Sequence, residues 1–449
     1  MPFRHRVLWA LVIVVCVLLL MAPALWNHFP LLQWDTGGYL ARWYEGTLVP
    51  SRAVIYGLIL TAGVPFAFWP VLVLQAALTV WIVALMLRAH GLGKRPRLLA
   101  TTITALADTS TLPWLTAILL TDIFCGLGVL ALYLLLMRGE RVRRGERIGL
   151  IVLIAAAAAT HSATFALLAG LLVCGALVAL IARKRVPARR LGHGVIALAL
   201  GAVLVFAADY AVAGRLAWTP GGFALSFGRM LQDGIVKKYL DEHCPDAKLR
   251  LCAVKDRIPQ DADTWFWGSD LFDQMGRFAG LGQEMETIAL ESLIDYPSLQ
   301  FESAVSDTAH QLVAVRTGEG IQDDLWHTRT IIERYTPQLA PAMRASREQQ
   351  GEISLAGINR LQYPAALAAM ALLPLLMWFA WRGRIPAEIG ELAAACVLTL
   401  LGNAFICGVL SNPHDRYGAR VAWLAVLAVL LAFARVMEAR APRLAGGQR

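Results

Sequence analysis

The sequence predicts an all-α polytopic membrane protein with about ten transmembrane helices and a mainly helical extracytoplasmic domain. Of its 449 residues, 57% are apolar and only 16% are charged, whereas an average soluble domain carries about 25% charged residues. A mean hydropathy of +0.56 excludes an ordinary soluble enzyme or a disordered chain. The apolar residues also come in runs long enough to cross a bilayer, such as the uncharged residues 7–26 and 65–87.

The net charge of +9 reports topology and not nucleic-acid binding. A nucleic-acid footprint concentrates cations on one soluble face, but 22 of the 41 Lys and Arg lie in six short stretches between apolar runs. Short basic loops stay in the cytoplasm. Residues 211–360, in contrast, carry 15 basic and 21 acidic side chains. The six stretches are Arg4 and Arg6; Arg88, Lys94, Arg95 and Arg97; Arg138, Arg141, Arg143, Arg144 and Arg147; Arg183, Lys184, Arg185, Arg189 and Arg190; Arg382 and Arg384; and Arg435, Arg440, Arg443 and Arg449.

Parity of crossings sets the domain boundaries. If every basic stretch is cytoplasmic, an even number of spans separates each neighbouring pair, and both termini are cytoplasmic. The chain then has an N-terminal membrane module of about seven spans (1–210, first outer loop 27–64), an extracytoplasmic soluble domain (211–360) and a C-terminal membrane module of about three spans (361–449).

Two points of this topology stay open. Residues 98–137 and 148–182, the latter divided at His161-Ser162, contain short apolar pieces that form either full crossings or re-entrant helices. Residues 22–24 offer an A-x-A-like cleavage site, but losing the first span would break the parity, so we expect it to be retained. The Ala- and Arg-rich composition indicates a bacterial inner membrane with a periplasmic outer domain.

Ionisable residues gather in the predicted outer turns. Such residues are costly at membrane depth and mark a functional site by default. The alternative is that these loops face water, where polar residues need no function. Asp122 lies inside the apolar run 117–137, so it needs a partner or a watery cavity. The candidate residues of the four turns are Asp35, Tyr39 and Arg52; Asp108 and Asp122; His161; and His414, Arg416 and Arg420.

The last outer turn predicts a phosphate site. Asn412-Pro413 is typical of a helix start, and Arg416 and Arg420 then share one helical face. A helix N-terminus with two Arg binds phosphate well; the alternative is that both Arg reach lipid headgroups. Cys244 and Cys252, the two cysteines of residues 211–360, are either a disulfide or two unrelated thiols.

In layout the chain resembles the C-type (GT-C) membrane glycosyltransferases, which use polyprenyl-phosphate-linked sugar donors. It has an early acid, Asp35, in the first outer loop (Trp34-Asp35-Thr36-Gly37-Gly38-Tyr39), Thr121-Asp122 at the start of a span, short broken spans and a late outer domain. The resemblance covers most of the chain, but the outer domain lies between spans seven and eight, which leaves the subfamily and the acceptor open.

The resemblance implies that Asp35 is the general base and that the anomeric carbon is inverted. Arg416, Arg420 and Arg52 would stabilise the leaving lipid phosphate, and Asp122 or Asp108 would orient the acceptor or hold a divalent cation. Tyr39 would contact the phosphate or the sugar; His161 and His414 would either donate hydrogen bonds to them or be structural. The acceptor would be an extracytoplasmic lipid or glycan.

Three other functions fit the same residues. A transporter or flippase would bind a lipid-linked or anionic substrate with them, although transporters usually carry internal repeats and none is visible. A ligase or polymerase of polyprenyl-diphosphate glycans would share the donor class. A non-enzymatic envelope assembly subunit would use the aromatic cluster Trp265-Phe266-Trp267 to bind a partner, unless that cluster is a small hydrophobic core.

Overall fold

A computed structural model of the chain describes residues 3–49, 52–93, 95–181, 186–218, 222–245 and 249–445. The first half contains α1 (Phe3–Leu20), α2 (Ala22–Asn27), α3 (Trp34–Glu45), α4 (Val54–Gly63), α5 (Trp69–Ala89), α6 (Pro96–Thr109), α7 (Leu112–Ala117), α8 (Asp122–Met137), α9 (Arg144–Thr160), α10 (Ser162–Ile181) and α11 (Ala188–Ala213). The second half contains α12 (Gly222–Gln232), α13 (Ile235–His243), α14 (Ala262–Gly268), α15 (Asp270–Gln274), α16 (Arg277–Asp295), α17 (Pro297–Val313), α18 (Trp326–Tyr335), α19 (Ala340–Arg344), α20 (Ala356–Trp381), α21 (Ala387–Leu410) and α22 (Asp415–Ala445). Short 3₁₀ turns cover Val64–Phe66, Arg250–Arg257 and Pro337–Leu339.

The predicted all-α class is confirmed, since the described residues form helices and no β-strand. Seven helices in this part of the chain are long and apolar enough to cross a membrane. They are α1, α5, α10, α11, α20, α21 and residues 415–438 of α22. The chain therefore has the composition and architecture of a multi-pass membrane protein.

Three further helices coincide with the predicted short crossings. α6, α8 and α9 have 14, 16 and 17 residues, so the longest of them spans about 26 Å, less than a hydrocarbon core of about 30 Å. α8 is buried from Asp122 to Leu136. Neighbouring helices thus cover it on all sides, which explains how so short an apolar helix sits in the middle of the bundle.

Ion pairs link three of the described basic stretches to neighbouring segments. Arg138 bonds Glu391 at 2.5 Å, Arg190 bonds Glu140 at 2.7 Å, and Arg88 pairs with Glu146. Glu391, which lies in the apolar run 389–410, is thereby neutralised. Lys94, Arg183, Lys184, Arg185 and Arg449 lie outside the described residues, as do the side chains of Arg440 and Arg443.

Residues 211–360 pack in two different ways. α12–α16 build a separate apolar core around Phe227, Trp265 and Phe272. α18 and α19 instead join the main core of the membrane helices through Ile332 and Met343. In the aromatic cluster singled out by the sequence, Trp265 and Phe266 are buried in the separate core, and Trp267 is 57% exposed.

Candidate functional site

The first outer loop folds back onto the helices as a capped helix. Gln33 begins α3 by accepting a hydrogen bond from the Asp35 N–H at 2.7 Å, while the Thr36 hydroxyl accepts one from the Gln33 N–H at 3.0 Å. The Thr36 hydroxyl also donates to the Leu119 carbonyl at 2.9 Å. Leu119 in turn donates its N–H to the Leu31 carbonyl at 2.9 Å. The loop is thereby joined to the segment that leads into Asp122.

Two glycines allow close approaches around Asp35. A Cβ on Gly37 would lie 2.7 Å from the Cα of Thr328 in α18. A Cβ on Gly38 would lie 3.1 Å from Nε of Arg52. The Gly-Gly pair in the first loop therefore lets α18 and the Arg52 side chain pack directly against α3.

Asp35 lies between two guanidinium groups. Its Oδ1 accepts from Arg52, and its Oδ2 accepts from Nη1 of Arg416 at 2.8 Å. The residue is only 8% exposed. Burial by itself raises the pKa of the carboxyl, but Arg52 and Arg416 outweigh it and hold the pKa at about 2. Asp35 is therefore ionised and fully paired.

Arg416 extends from the start of α22, which begins at Asp415. The predicted start at Asn412-Pro413 is therefore wrong. Residues 412–414 are not helical, and the Asn412 side chain accepts a hydrogen bond from Ser411. The carboxylate of Glu319 accepts the Arg416 N–H at 2.8 Å, so an acid from a distant loop serves as the cap.

Arg420 lies one turn further along α22 and is 1% exposed. Oδ1 of Asn403 accepts from its Nε and Nη2 at 2.9 and 2.8 Å, and Nη2 also lies 3.0 Å from Sγ of Cys407. Nη1 has no hydrogen-bond partner among the described residues and lies 3.8 Å from Oδ1 of Asp122. Asp122 thus has the cationic partner that its apolar run demands.

Tyr39 borders the same cluster. Its ring is 1% exposed, 5.8 Å from the guanidinium carbon of Arg52, and packs edge-on against Tyr56 at 5.5 Å. Burial raises the pKa of the Tyr39 hydroxyl to about 12, so the hydroxyl stays a neutral donor. The cluster thus holds three arginines and two aspartates, and Glu319, which accepts the Arg416 N–H, adds a third acid at its edge.

Of the remaining candidate residues from the sequence, His161 lies near Asp35, whereas His414 and Asp108 do not contact it. His161 is within electrostatic reach of Asp35, but its Nδ1 accepts the Ala163 N–H at 3.2 Å at the start of α10. His414 bonds Glu319 at 2.6 Å and lies 3.5 Å from Asp263. Asp108 is exposed and lines a separate groove between α6 and α20. The structure therefore brings Asp35, Tyr39, Arg52, Asp122, Arg416 and Arg420 together, with His161 beside them, and leaves Asp108 and His414 outside.

Sequence reasoning missed two residues of this site. Asn403 holds Arg420 in place, and its signal was a lone amide in the apolar run 389–410. Glu319 caps α22 and bonds His414, and nothing in its local sequence marks it. Burial raises the pKa of Glu319, but His414 and the Arg416 N–H outweigh this effect and lower it.

Two further features bear on possible function. Cys244 and Cys252 form a disulfide bond between the end of α13 and the 3₁₀ turn Arg250–Arg257. Among the described residues, no group of three or more His, Cys, Asp or Glu side chains comes together in a way that could hold a metal ion.

Comparisons of the chain with models of known families, with curated proteins and with solved structures find no match.

Proposed function

We propose that the protein is an integral membrane glycosyltransferase that moves a sugar from a polyprenyl-phosphate donor to an extracytoplasmic lipid or glycan. One observation carries the proposal. The buried carboxylate of Asp35 contacts both Arg52 and Arg416, so two guanidinium groups lie within contact distance of one carboxylate. Sugar transfer from a glycosyl phosphate requires a general base and, close to it, cations that bind the phosphate.

The donor phosphate would compete with Asp35 for its two arginines. Guanidinium groups bind phosphate as well as carboxylate, in paired hydrogen bonds. While Asp35 is paired, its low pKa makes it a weak base. Once Arg52 and Arg416 turn to the phosphate, the carboxylate loses the charges that depress its pKa and becomes more basic. Donor binding would thus activate the base.

The transfer then balances in one step. Asp35 takes the proton of the acceptor hydroxyl as the acceptor oxygen bonds the anomeric carbon. The bond between that carbon and the phosphate oxygen breaks, and its electron pair leaves with the lipid phosphate. Arg52 and Arg416 stabilise the growing charge on the leaving group, and Arg420 adds to the positive field.

The proposal includes a topology. Ten crossings, with α6, α8 and α9 among them, would put both termini in the bacterial cytoplasm and the Asp35 site with residues 211–360 at the periplasmic face. The Cys244–Cys252 disulfide supports this sidedness because disulfides persist in oxidising compartments. Reporter fusions at Gly192 and Pro259 test it, since they must report opposite sides; the same side for both would refute it.

Asp35→Asn tests the catalytic role. The purified protein is reconstituted and supplied with polyprenyl-phosphate-linked hexoses and pentoses, and release of polyprenyl phosphate is measured. We expect Asp35→Asn to lose about 10²–10⁴-fold in turnover, while Asp108→Asn, the matched control outside the cluster, keeps wild-type turnover. Wild-type turnover in Asp35→Asn would refute the base.

The same preparation separates an enzyme from a transporter. Transport would move the intact donor between leaflets without releasing polyprenyl phosphate, and that result would replace the glycosyltransferase proposal. Failure of polyprenyl phosphate to bind the wild-type protein at all would refute both.

A further inference from the structure

α17 buries polar side chains and exposes an apolar stripe. In water a helix usually buries its apolar stripe and exposes its polar side chains. The buried residues of α17 are polar: Gln300, Asp307 and Gln311. Phe301 and Val305 are 70% and 56% exposed, and the exposed Glu302 lies beside them. A helix that exposes both an apolar and a polar stripe is typical of a membrane interface.

The buried polar face of α17 is held by specific partners. Gln300 accepts from Nη2 of Arg229 at 2.7 Å. Gln311 donates to the His414 carbonyl at 2.8 Å and accepts the His414 N–H at 2.9 Å. Arg229 also donates to the Val409 carbonyl at the end of α21 at 3.1 Å. These bonds fix the rotation of α17, so its apolar face cannot turn inward.

The apolar face of α17 continues the exposed surface of a membrane helix. Phe301, Val305 and Leu312 line an apolar groove of about 380 Å³ together with Phe405 of α21. Phe405 is 51% exposed, and Leu401, one turn earlier in the same helix, is 46% exposed. α21 is one of the seven helices able to cross a membrane, so one wall of the groove is itself a lipid-facing surface.

The neighbouring end of α16 also exposes apolar side chains. Leu290, Leu293 and Ile294 are 43%, 49% and 78% exposed just before the turn into α17, with the exposed Glu291 and Asp295 among them. Such a mixture of apolar and charged side chains suits a membrane interface. The wall that the groove shares with α21 identifies the partner chemistry as hydrocarbon.

We propose that the hairpin formed by α16 and α17 lies in the membrane interface on the side of the Asp35 site, with the apolar stripe of α17 in the leaflet, and that the groove between α17 and α21 holds a lipid hydrocarbon chain. The segment predicted as a soluble domain then rests on the membrane through this hairpin. The inference depends on α21 crossing the bilayer and does not depend on the glycosyltransferase activity.

Spin labels on the full-length protein in vesicles of phosphatidylethanolamine and phosphatidylglycerol test the inference. Labels are placed by Phe301→Cys and Val305→Cys in a Cys174→Ser background, because the other four free cysteines, Cys16, Cys125, Cys396 and Cys407, are buried. Both positions are exposed, so labelling requires no repacking. The references are Leu401→Cys on α21 and Lys237→Cys, which is 58% exposed on α13.

We expect labels at 301 and 305 to collide more with dissolved oxygen than with a water-soluble nickel complex, as at 401, and the reverse at 237. Labels at 301 and 305 that behave like 237 would overturn the proposal. Labels shielded from both reagents, with dipolar coupling between two copies of the chain, would overturn it as well, because a second copy would then cover the face.

Discussion

Asp35 and Arg416 are separated by 381 positions in the chain and joined by a 2.8 Å ion pair. The pair connects the first outer loop to the start of the last helix. Both side chains are largely buried, at 10% and 17% exposure, so the pair carries a desolvation cost that an exposed ion pair would not. A contact of this kind makes the two ends of the chain a single site.

Replacing Arg416 with Gln should weaken binding of polyprenyl phosphate. A hydrogen bond to a charged group contributes about 1.5–3 kcal/mol, and each 1.4 kcal/mol is tenfold in affinity, so we expect the Kd to rise about 10–100-fold. Equilibrium binding of labelled polyprenyl phosphate in detergent measures it. Arg382→Gln, at an exposed position beyond α20, should leave the Kd unchanged. An unchanged Kd in Arg416→Gln would exclude contact with the phosphate.

The stability contributed by Asp35 should depend on pH only at the acid end. Its pKa of about 2 in the folded protein lies below the value of ~3.9 for an unfolded Asp. A lowered folded-state pKa stabilises the fold above the unfolded value, and that stability is lost as pH falls through the folded value. Thermal unfolding of wild type and Asp35→Asn should therefore differ by a constant amount above about pH 4 and converge below it. A difference that changes near neutral pH would contradict this assignment.

Asn403→Ala should destabilise the protein strongly. The change removes the oxygen that accepts two hydrogen bonds from Arg420 and leaves a buried cation short of partners. We expect the free energy of unfolding to fall by about 3 kcal/mol, measured by chemical unfolding in detergent. Leu401→Ala, on the exposed side of the same helix, is the control and should change stability much less. Equal effects would show that Asn403 acts only through packing.

Two glycine substitutions should shift stability in opposite directions. A Cβ on Gly418 would lie 2.0 Å from the Ala314 carbonyl oxygen, so Gly418→Ala forces α22 away from its neighbour and should lower the melting temperature. A Cβ on Gly170 in α10 would meet no atom of another described helix within 4 Å, and Gly170→Ala should gain up to about 1 kcal/mol from helix propensity. Thermal unfolding of both variants checks the pair; a neutral Gly418→Ala would contradict the close approach.

The long helices could be predicted from sequence because hydrophobicity over some 20 residues is a local property. The start of α22 could not, because its cap is Glu319, 97 positions away from Arg416. Local signals at Asn412-Pro413 indicated a helix two residues too early. A distant carboxylate decided the outcome, and no pattern near residue 412 encodes it.

The sequence predicted which residues belong to the candidate site better than it predicted which of them contact each other. Rare charges near membrane depth singled out Asp35, Asp122 and Arg416, since each needs a partner. Their pairing depends on how α3, α8 and α22 pack, which one sequence does not specify. The same signal also selected Asp108, which is exposed. The local sequence around a polar residue in a predicted outer turn does not show whether that residue belongs to a site or only faces solvent.

The site is built from two structural units. One of them is held together by the hydrogen bonds from Leu119 to Leu31 and from Thr36 to Leu119. They tie α3 and the segment before Asp122 into one unit, which carries both acids and Arg52. Arg416 and Arg420 belong to α22 on the other side. A phosphate that binds both Arg52 and Arg416 would therefore join the two units at the point where their opposite charges meet.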